Sequence, residues 1–188
     1  MQQIIVSGIG GQGVLFVTKL LAETALDLGC SVLISETHGM AQRGGNVISH
    51  LKVCGPIRES GRGSPVEAGS GRNLTFTSPL IRPGHADIIL VLHEDGLAAH
   101  SHFQKEGGKT FCNRPHPSDS TSIDASRLAA DLGSPVSANL VLLGFAVSSG
   151  DFFCGPDQIE AVLSRTGGKR HEINLRAFRV GCLRGASS

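Results

Sequence analysis

Three features of the sequence predict an α/β fold. The apolar run Ile4-Ile5-Val6 enters a glycine turn, Gly8-Ile9-Gly10-Gly11-Gln12-Gly13; apolar residues then recur at helical spacing from Val14 to Leu28; a second apolar run, Ser31-Val32-Leu33-Ile34, follows Gly29. Strand, turn, helix, strand in that order builds a parallel sheet, because the crossover helix must carry the chain back before a second strand can run the same way. The predicted architecture is a three-layer, Rossmann-like, mostly parallel sheet flanked by helices, with a helical C-terminal third. A chain of 188 residues needs only one hydrophobic core, so 1–188 reads as one domain.

Each element has its own signal. In the first helix the stripe is Val14, Val17, Leu21, Ala25 and Leu28, and Gly29 supplies the stop. Val47 to Val53 alternates loosely, with Val47, Leu51 and Val53 on one side and Asn46, His50 and Lys52 on the other. That pattern predicts an edge or antiparallel strand with one wetter face. Residues 56–73 are rich in Gly, Ser, Arg and Glu and almost devoid of large apolar side chains, which predicts an exposed, mobile loop. Asp87 to Leu92 is nearly continuous apolar sequence, as in a central parallel strand. A helix over Asp95 to Glu106 should follow, ended by Gly107-Gly108, with a short strand at Thr110-Phe111-Cys112. Further on, Asp124 is placed to cap a helix to about Leu132, and Ser134-Pro135 to open another that is apolar from Leu140 to Val147. Pro156 starts a third, ending near Gly167, and Ile173 to Leu183 forms a last one.

Composition narrows the partners. A formal charge of +1, from 17 basic and 16 acidic residues, gives no broad attraction to nucleic acid or to an anionic membrane. Trp and Tyr are absent, so stacking platforms for bases are poorly supplied. The chain has no basic leader and no 18-residue apolar span, and is expected to be cytoplasmic. Its five cysteines are scattered without a C-x-x-C pair and read as reduced, mostly buried thiols. Ligands of an iron–sulfur cluster or a structural zinc normally come in short runs, so no metal site is expected; His38, His50 and Cys54 match no metal spacing.

Gly8, Gly10 and Gly13 match G-x-G-x-x-G after a strand and before a helix, where exposed N–H groups and the helix dipole favour an anion. Glu36 follows Gly13 near the place where a dinucleotide-binding protein keeps a ribose-reading carboxylate. Yet Glu36 also opens an unusual polar stretch, Ser35 to Gly45. This stretch gathers Glu36, Thr37, His38, Gln42 and Arg43 at the carboxyl end of a strand, where ligands bind in open α/β sheets. Arg43 suits an anionic group, and His38 or Gln42 a hydrogen bond. The candidate site residues are therefore Glu36, Thr37, His38, Gln42 and Arg43, with Gly8, Gly10, Gly11, Gln12, Gly13 and Asn139 as candidate cofactor contacts. Asn139 qualifies because it stands at an otherwise apolar helix start.

The segments GIGGQG, from Gly8, and SETHGMAQRGGNVISH, from Ser35, resemble those of the gamma-type subunits of the 2-oxoacid:ferredoxin oxidoreductases, closest in the indolepyruvate branch. The segments SPLI-x-x-G-x-AD from Ser78, NLVLLG from Asn139 and NLRAF from Asn174 carry the likeness along most of the chain. It implies oxidative decarboxylation of a 2-oxoacid to an acyl-CoA with reduction of ferredoxin, by a complex that uses thiamine diphosphate, magnesium, iron–sulfur clusters and CoA. It also implies that those groups sit on partner subunits, that no cofactor is bound by this chain alone, and that the chain shapes a shared active site; a homodimer is a further option. The segment 56–73 looks longer than the usual connection there. Two other readings stand beside this one: a free-standing NAD- or FAD-binding oxidoreductase, and a non-catalytic regulatory subunit.

Overall fold

The computed structural model describes residues 1–38, 45–55, 78–166 and 168–186, without the side chains of Thr37, His38 and Lys169. The expected loop at 56–73 and the candidates Gln42 and Arg43 lie outside these residues. Among the described residues six strands form one sheet, ordered β2-β3-β1-β4-β5-β6. They are β1 (Gln2–Ile9), β2 (Ser31–His38), β3 (Asn46–Cys54), β4 (Ala86–Val91), β5 (Gln104–Asn113) and β6 (Ser122–Ile123). β1, β4, β5 and β6 pair in parallel. β3 runs antiparallel to both neighbours, which leaves β2 parallel to β1 but one strand removed from it.

Of the two alternatives expected for β3, an edge or an antiparallel strand, the second is found. It is an interior strand and not an edge. Its polar face is the wetter one at Asn46, which is exposed, and Lys52, which is half-buried, but His50 between them is buried at 4% exposure. Inserting β3 turns the simple β1–α1–β2 unit into one that spans a gap. The helix α1 (Val14–Asp27) packs over that gap, against β1, β2 and β3.

One face of the sheet carries α1, α4 (Ala138–Val147), α5 (Pro156–Thr166) and α6 (His171–Gly185), sharing a core with Ile4, Val6, Leu51, Ile88 and Leu90. From Asn139 to Val147 every residue of α4 is buried, as its unbroken apolar run requires. It meets α6 closely enough that a Cβ on Gly181 would overlap the Val141 carbonyl and one on Gly144 the Phe178 carbonyl. The opposite face holds a smaller core of Ile5, Ile89, Val91 and Cys112. Only α2 (Asp95–His100), a 3-10 turn (Ser101–Phe103) and the strap of residues 78–85 are described over it, contributing Leu97, Phe103 and Ile81.

The expected helix from Asp95 to Glu106 stops at His100, and β5 begins at Gln104. The Gly107-Gly108 pair does not end that helix. Gly107, at φ 73°, serves a bulge in β5, where pairing jumps from Ala86–Gln104 to Ile88–Lys109. Asp124 caps α3 (Ala125–Asp131) as expected, accepting from the Arg127 N–H at 2.9 Å. All five cysteines are free thiols. No described helix is long and apolar enough to cross a membrane.

Candidate functional site

The carboxyl ends of β1, β2, β4 and β5 define one rim of the sheet. There β1 runs into the glycine turn, which is held by three bonds. Gln12 N–H donates to the Ile9 carbonyl at 3.1 Å, Ile9 N–H donates to Gln12 Oε1 at 2.8 Å, and Gly10 N–H donates to the Gly45 carbonyl at 3.0 Å. The last bond ties the turn to the far end of the polar stretch that begins at Glu36. Gly11 and Gly13 sit at φ 98° and 83°, in the left-handed region where a side chain is strained.

Gly13 is the N-cap of α1 and brings no side-chain cap. The first N–H groups of a helix have no partner inside it, so this end faces the rim with donors to spare and a positive dipole. Gln12 does not cover them, because its side chain turns back to the strand. A Cβ on Gly13 would overlap the Asn139 amide, whose Nδ2 donates to the Gln12 carbonyl at 3.1 Å. Asn139, picked out by its polarity at an apolar helix start, is thus brought directly against the turn.

A crevice of about 240 Å³ opens beside these groups, between β1 and β4. The chain departs from that point in opposite directions, β1 leading towards β2 and β4 towards β5; such a switch point is where open α/β sheets bind ligands. One wall is Gly11, Gln12 and Asn139; the other is Leu92, Asn113 and Ser126, with Pro135 and Val136 above. Asn113 is 8% exposed and cross-links the far wall. Its Nδ2 donates to the Leu92 carbonyl at 3.1 Å and to Ser126 Oγ at 2.8 Å, while Ser126 N–H donates to its Oδ1 at 3.1 Å. Leu92, Asn113 and Ser126 were not picked out from the sequence. The one available signal was a polar residue closing an apolar strand at the rim.

A larger cavity, of about 910 Å³, opens at the opposite end of the strands, where Cys30, Phe152, Cys154 and Gly55 line it. It is remote from the glycine turn and from the carboxyl rim where this architecture places ligands. Size alone therefore does not make it the site.

The polar stretch is only partly described. Thr37 and His38 lie in β2 opposite Ile48 and Val47, and Glu36 opposite Ser49. All three belong to the strand beyond β3. Glu36 is thus two strand spacings from β1, about 10 Å, and not on the strand beside the glycine turn where a ribose-reading carboxylate stands in a dinucleotide fold.

Chemically, the described crevice binds and positions. Its walls offer backbone N–H groups, amides and a hydroxyl, with no acid, base or thiol among the described lining residues. Cys112, next to Asn113 in β5, is pushed up to about 11 by burial and gives no thiolate nucleophile at neutral pH. No group of three or more His, Cys, Asp or Glu among the described residues is placed to hold a metal ion. Burial raises Cys30, Cys112, Cys154 and Cys182 alike above the ordinary thiol value.

Comparison with known proteins identifies relatives and shared folds. The indolepyruvate oxidoreductase subunit IorB of Thermococcus kodakarensis is 28% identical over 206 residues, covering 95% of this chain and 93% of that protein. IorB of Methanothermobacter thermautotrophicus is 29% identical over 208 residues, covering 95% and 94%. Among solved structures, the gamma subunit of a keto/oxoacid ferredoxin oxidoreductase from Geobacter sulfurreducens superposes with a TM-score of 0.72 at 24% identity, over 100% of both chains. A 2-oxoglutarate:ferredoxin oxidoreductase from Magnetococcus marinus, solved with 2-oxoglutarate, coenzyme A and succinyl-CoA, gives 0.74 at 19% identity, over 100% of this chain and 31% of that one. At these identities the two structures establish the shared fold. The family described as pyruvate ferredoxin/flavodoxin oxidoreductase matches residues 3–183, and this chain belongs to it.

Proposed function

We propose that this chain is a subunit of a 2-oxoacid:ferredoxin oxidoreductase that converts a 2-oxoacid, of the aryl pyruvate type such as indolepyruvate, and CoA into an acyl-CoA and carbon dioxide while reducing ferredoxin. The observation that supports this reading is the bond from Gly10 to Gly45, which ties the glycine turn to the last residue of the stretch that starts at Ser35. The carboxyl rim that carries the turn suits abutment against another subunit's active site. Thiamine diphosphate, magnesium and the iron–sulfur clusters then belong to partner subunits, and this chain's part is to bind and orient. The donors at the start of α1 suit a phosphate or carboxylate, and the amides of Asn113 and Asn139 suit neutral polar groups. Arg43 is assigned to an anionic group of the bound molecule, and His38 and Gln42 to hydrogen bonds with it. The chain alone turns nothing over.

The test is reconstitution. The thiamine-bearing partner is assayed for acyl-CoA formation and ferredoxin reduction with and without this chain, and with Glu36→Gln, His38→Ala and Arg43→Ala in it. The reading expects turnover only with both subunits and a loss of tenfold or more for at least one substitution. Turnover indifferent to the chain would refute it; turnover that needs the chain but ignores all three substitutions would make it a regulatory subunit. The dinucleotide reading is separated by thermal shift, since a ligand of the native state raises the melting temperature. It loses ground on geometry, because β3 separates Glu36 from the glycine turn.

A further inference from the structure

The second face of the sheet carries a group of side chains that the proposed activity does not use. His50, on β3 and 4% exposed, accepts the Ile81 N–H through Nδ1 at 3.2 Å. A backbone N–H only donates, so this nitrogen carries no proton and the ring is the neutral Nε2–H form. His100, the last residue of α2, holds Ser7 of β1 through a 2.6 Å contact between its Nδ1 and Ser7 Oγ. Between them lies Phe103, edge-on to His50 at 5.4 Å, stacked with His100 at 6.5 Å and tilted against His102 at 4.3 Å. The described cover of this face thus meets the sheet through three imidazoles around one phenyl ring. Among the described residues, the helices that close the other face share no such group.

We propose that the segment from Asp95 to Phe103 and the strap of residues 78–85 form an acid-operated clasp: proton uptake at His50 and His100 releases them from the sheet while the helical face stays closed. A proton on His50 Nδ1 abolishes the acceptor of the Ile81 N–H and strands that donor in a buried place, a loss of the costly kind. Among the described residues, the charged groups bearing on the pair are cationic. Lys52 of β3, whose Nζ donates to the Ser78 carbonyl, and His100 act on His50, while His102 acts on His100. Burial, the largest cause, and these charges hold both imidazoles below the ordinary value of 6.5, against a hydrogen bond from His100 to the Gly96 backbone that favours its protonated form. The open form, with solvated rings, binds protons more readily than the closed one. The clasp is therefore at full strength above about pH 6.5 and weakens as pH falls towards the lowered values, by up to about tenfold per pH unit for each proton taken up.

Release reaches the rim, since Leu92, a wall of the crevice, connects β4 to α2 and donates its N–H to the Ser7 carbonyl at 2.7 Å. The proposal does not depend on what the crevice binds.

Hydrogen exchange of the full chain at pH 7.5 and 5.5, corrected for intrinsic rates, tests it. Amides of Ile81 and of the segment from Asp95 to Phe103 should exchange at least tenfold faster at the lower pH, with those from Val141 to Phe145 unchanged. The double variant His50→Asn with His100→Asn, whose amides cannot titrate, should cut the acid response to twofold or less, with His50→Asn alone giving an intermediate response; His116→Gln, on an exposed residue outside the clasp, should leave it intact. Nitrogen-15 spectra of histidine-labelled wild-type chain keep the test independent of how the variant folds, since His50 should gain its second ring proton over the pH range in which Ile81 loses protection. Protection that is the same at both pH values, a uniform loss across both faces, or loss at Ile81 while His50 stays neutral would each overturn the proposal.

Discussion

The side-chain amide of Asn139 donates to the carbonyl of Gln12 at 3.1 Å, so a residue 127 positions downstream sets the shape of the glycine turn. Asn139→Ala should therefore act at the turn and not only in α4. Leaving the Gln12 carbonyl without its donor costs about 1–2 kcal/mol, which for a chain of this size lowers the melting temperature by roughly 2–8 °C. Asn139→Asp should be worse, because a carboxylate would face that carbonyl. Thermal unfolding of the two variants checks the order.

Gly13→Ala sets a left-handed φ of 83° and an overlap with Asn139 against a fold that gains nothing from the methyl. A loss of about 2–4 kcal/mol is expected from strain and crowding together. Gly11→Ala carries the same backbone strain, but a Cβ there meets nothing within 4 Å. It should cost about 1–2 kcal/mol. Equal losses in denaturant titrations would contradict this difference.

Helix α6 tolerates no growth at Gly181. A methyl there would meet the Val141 carbonyl and push α4 and α6 apart along a fully buried seam. Gly181→Ala should cost about 2–3 kcal/mol in spite of alanine's better helix propensity, where an exposed helical glycine would gain about 1 kcal/mol. Chemical denaturation of this variant gives the sign directly.

Two buried thiols supply a test at high pH. Burial pushes Cys112 to about 11 and Cys154 to about 12, from an ordinary 9.0. Both stay protonated in the folded chain at pH 8, so alkylation by iodoacetamide should be at least about a hundredfold slower at Cys112 than in the unfolded chain. The linked effect on stability has a definite sign. Above pH 9 the unfolded chain loses these protons first, so stability present below pH 9 should decline as pH rises towards 11. Peptide mapping of the alkylated cysteines and a pH series of melting curves measure the two effects.

What the sequence revealed followed from local chemistry. The turn from Gly8 to Gly13, the helix after it and the Asp124 cap are set by residues within a few positions of one another, and all are found where expected. The interior place of β3 is set by which strands it pairs with, and periodicity within Val47 to Val53 carries no record of that. Gly107-Gly108 read as a helix stop because a left-handed glycine serves a stop and a bulge equally well. In the crevice, Gly11, Gln12 and Asn139 were identified because they break the pattern around them. Asn113 and Ser126 were missed because their meaning lies in a contact across 13 positions.

The location of β3 also dictates the order in which a growing chain acquires structure. Everything from Gln2 to His38 leaves the ribosome first, yet β1 and β2 cannot pair with each other and must wait for Asn46 to Cys54 to enter between them. Until then the nascent chain shows two unpaired apolar strands, the kind of edge that chaperones guard and that aggregates when they do not. No amino-terminal fragment ending before Cys54 completes these ladders, so truncation there yields sticky material and not a smaller version of the protein.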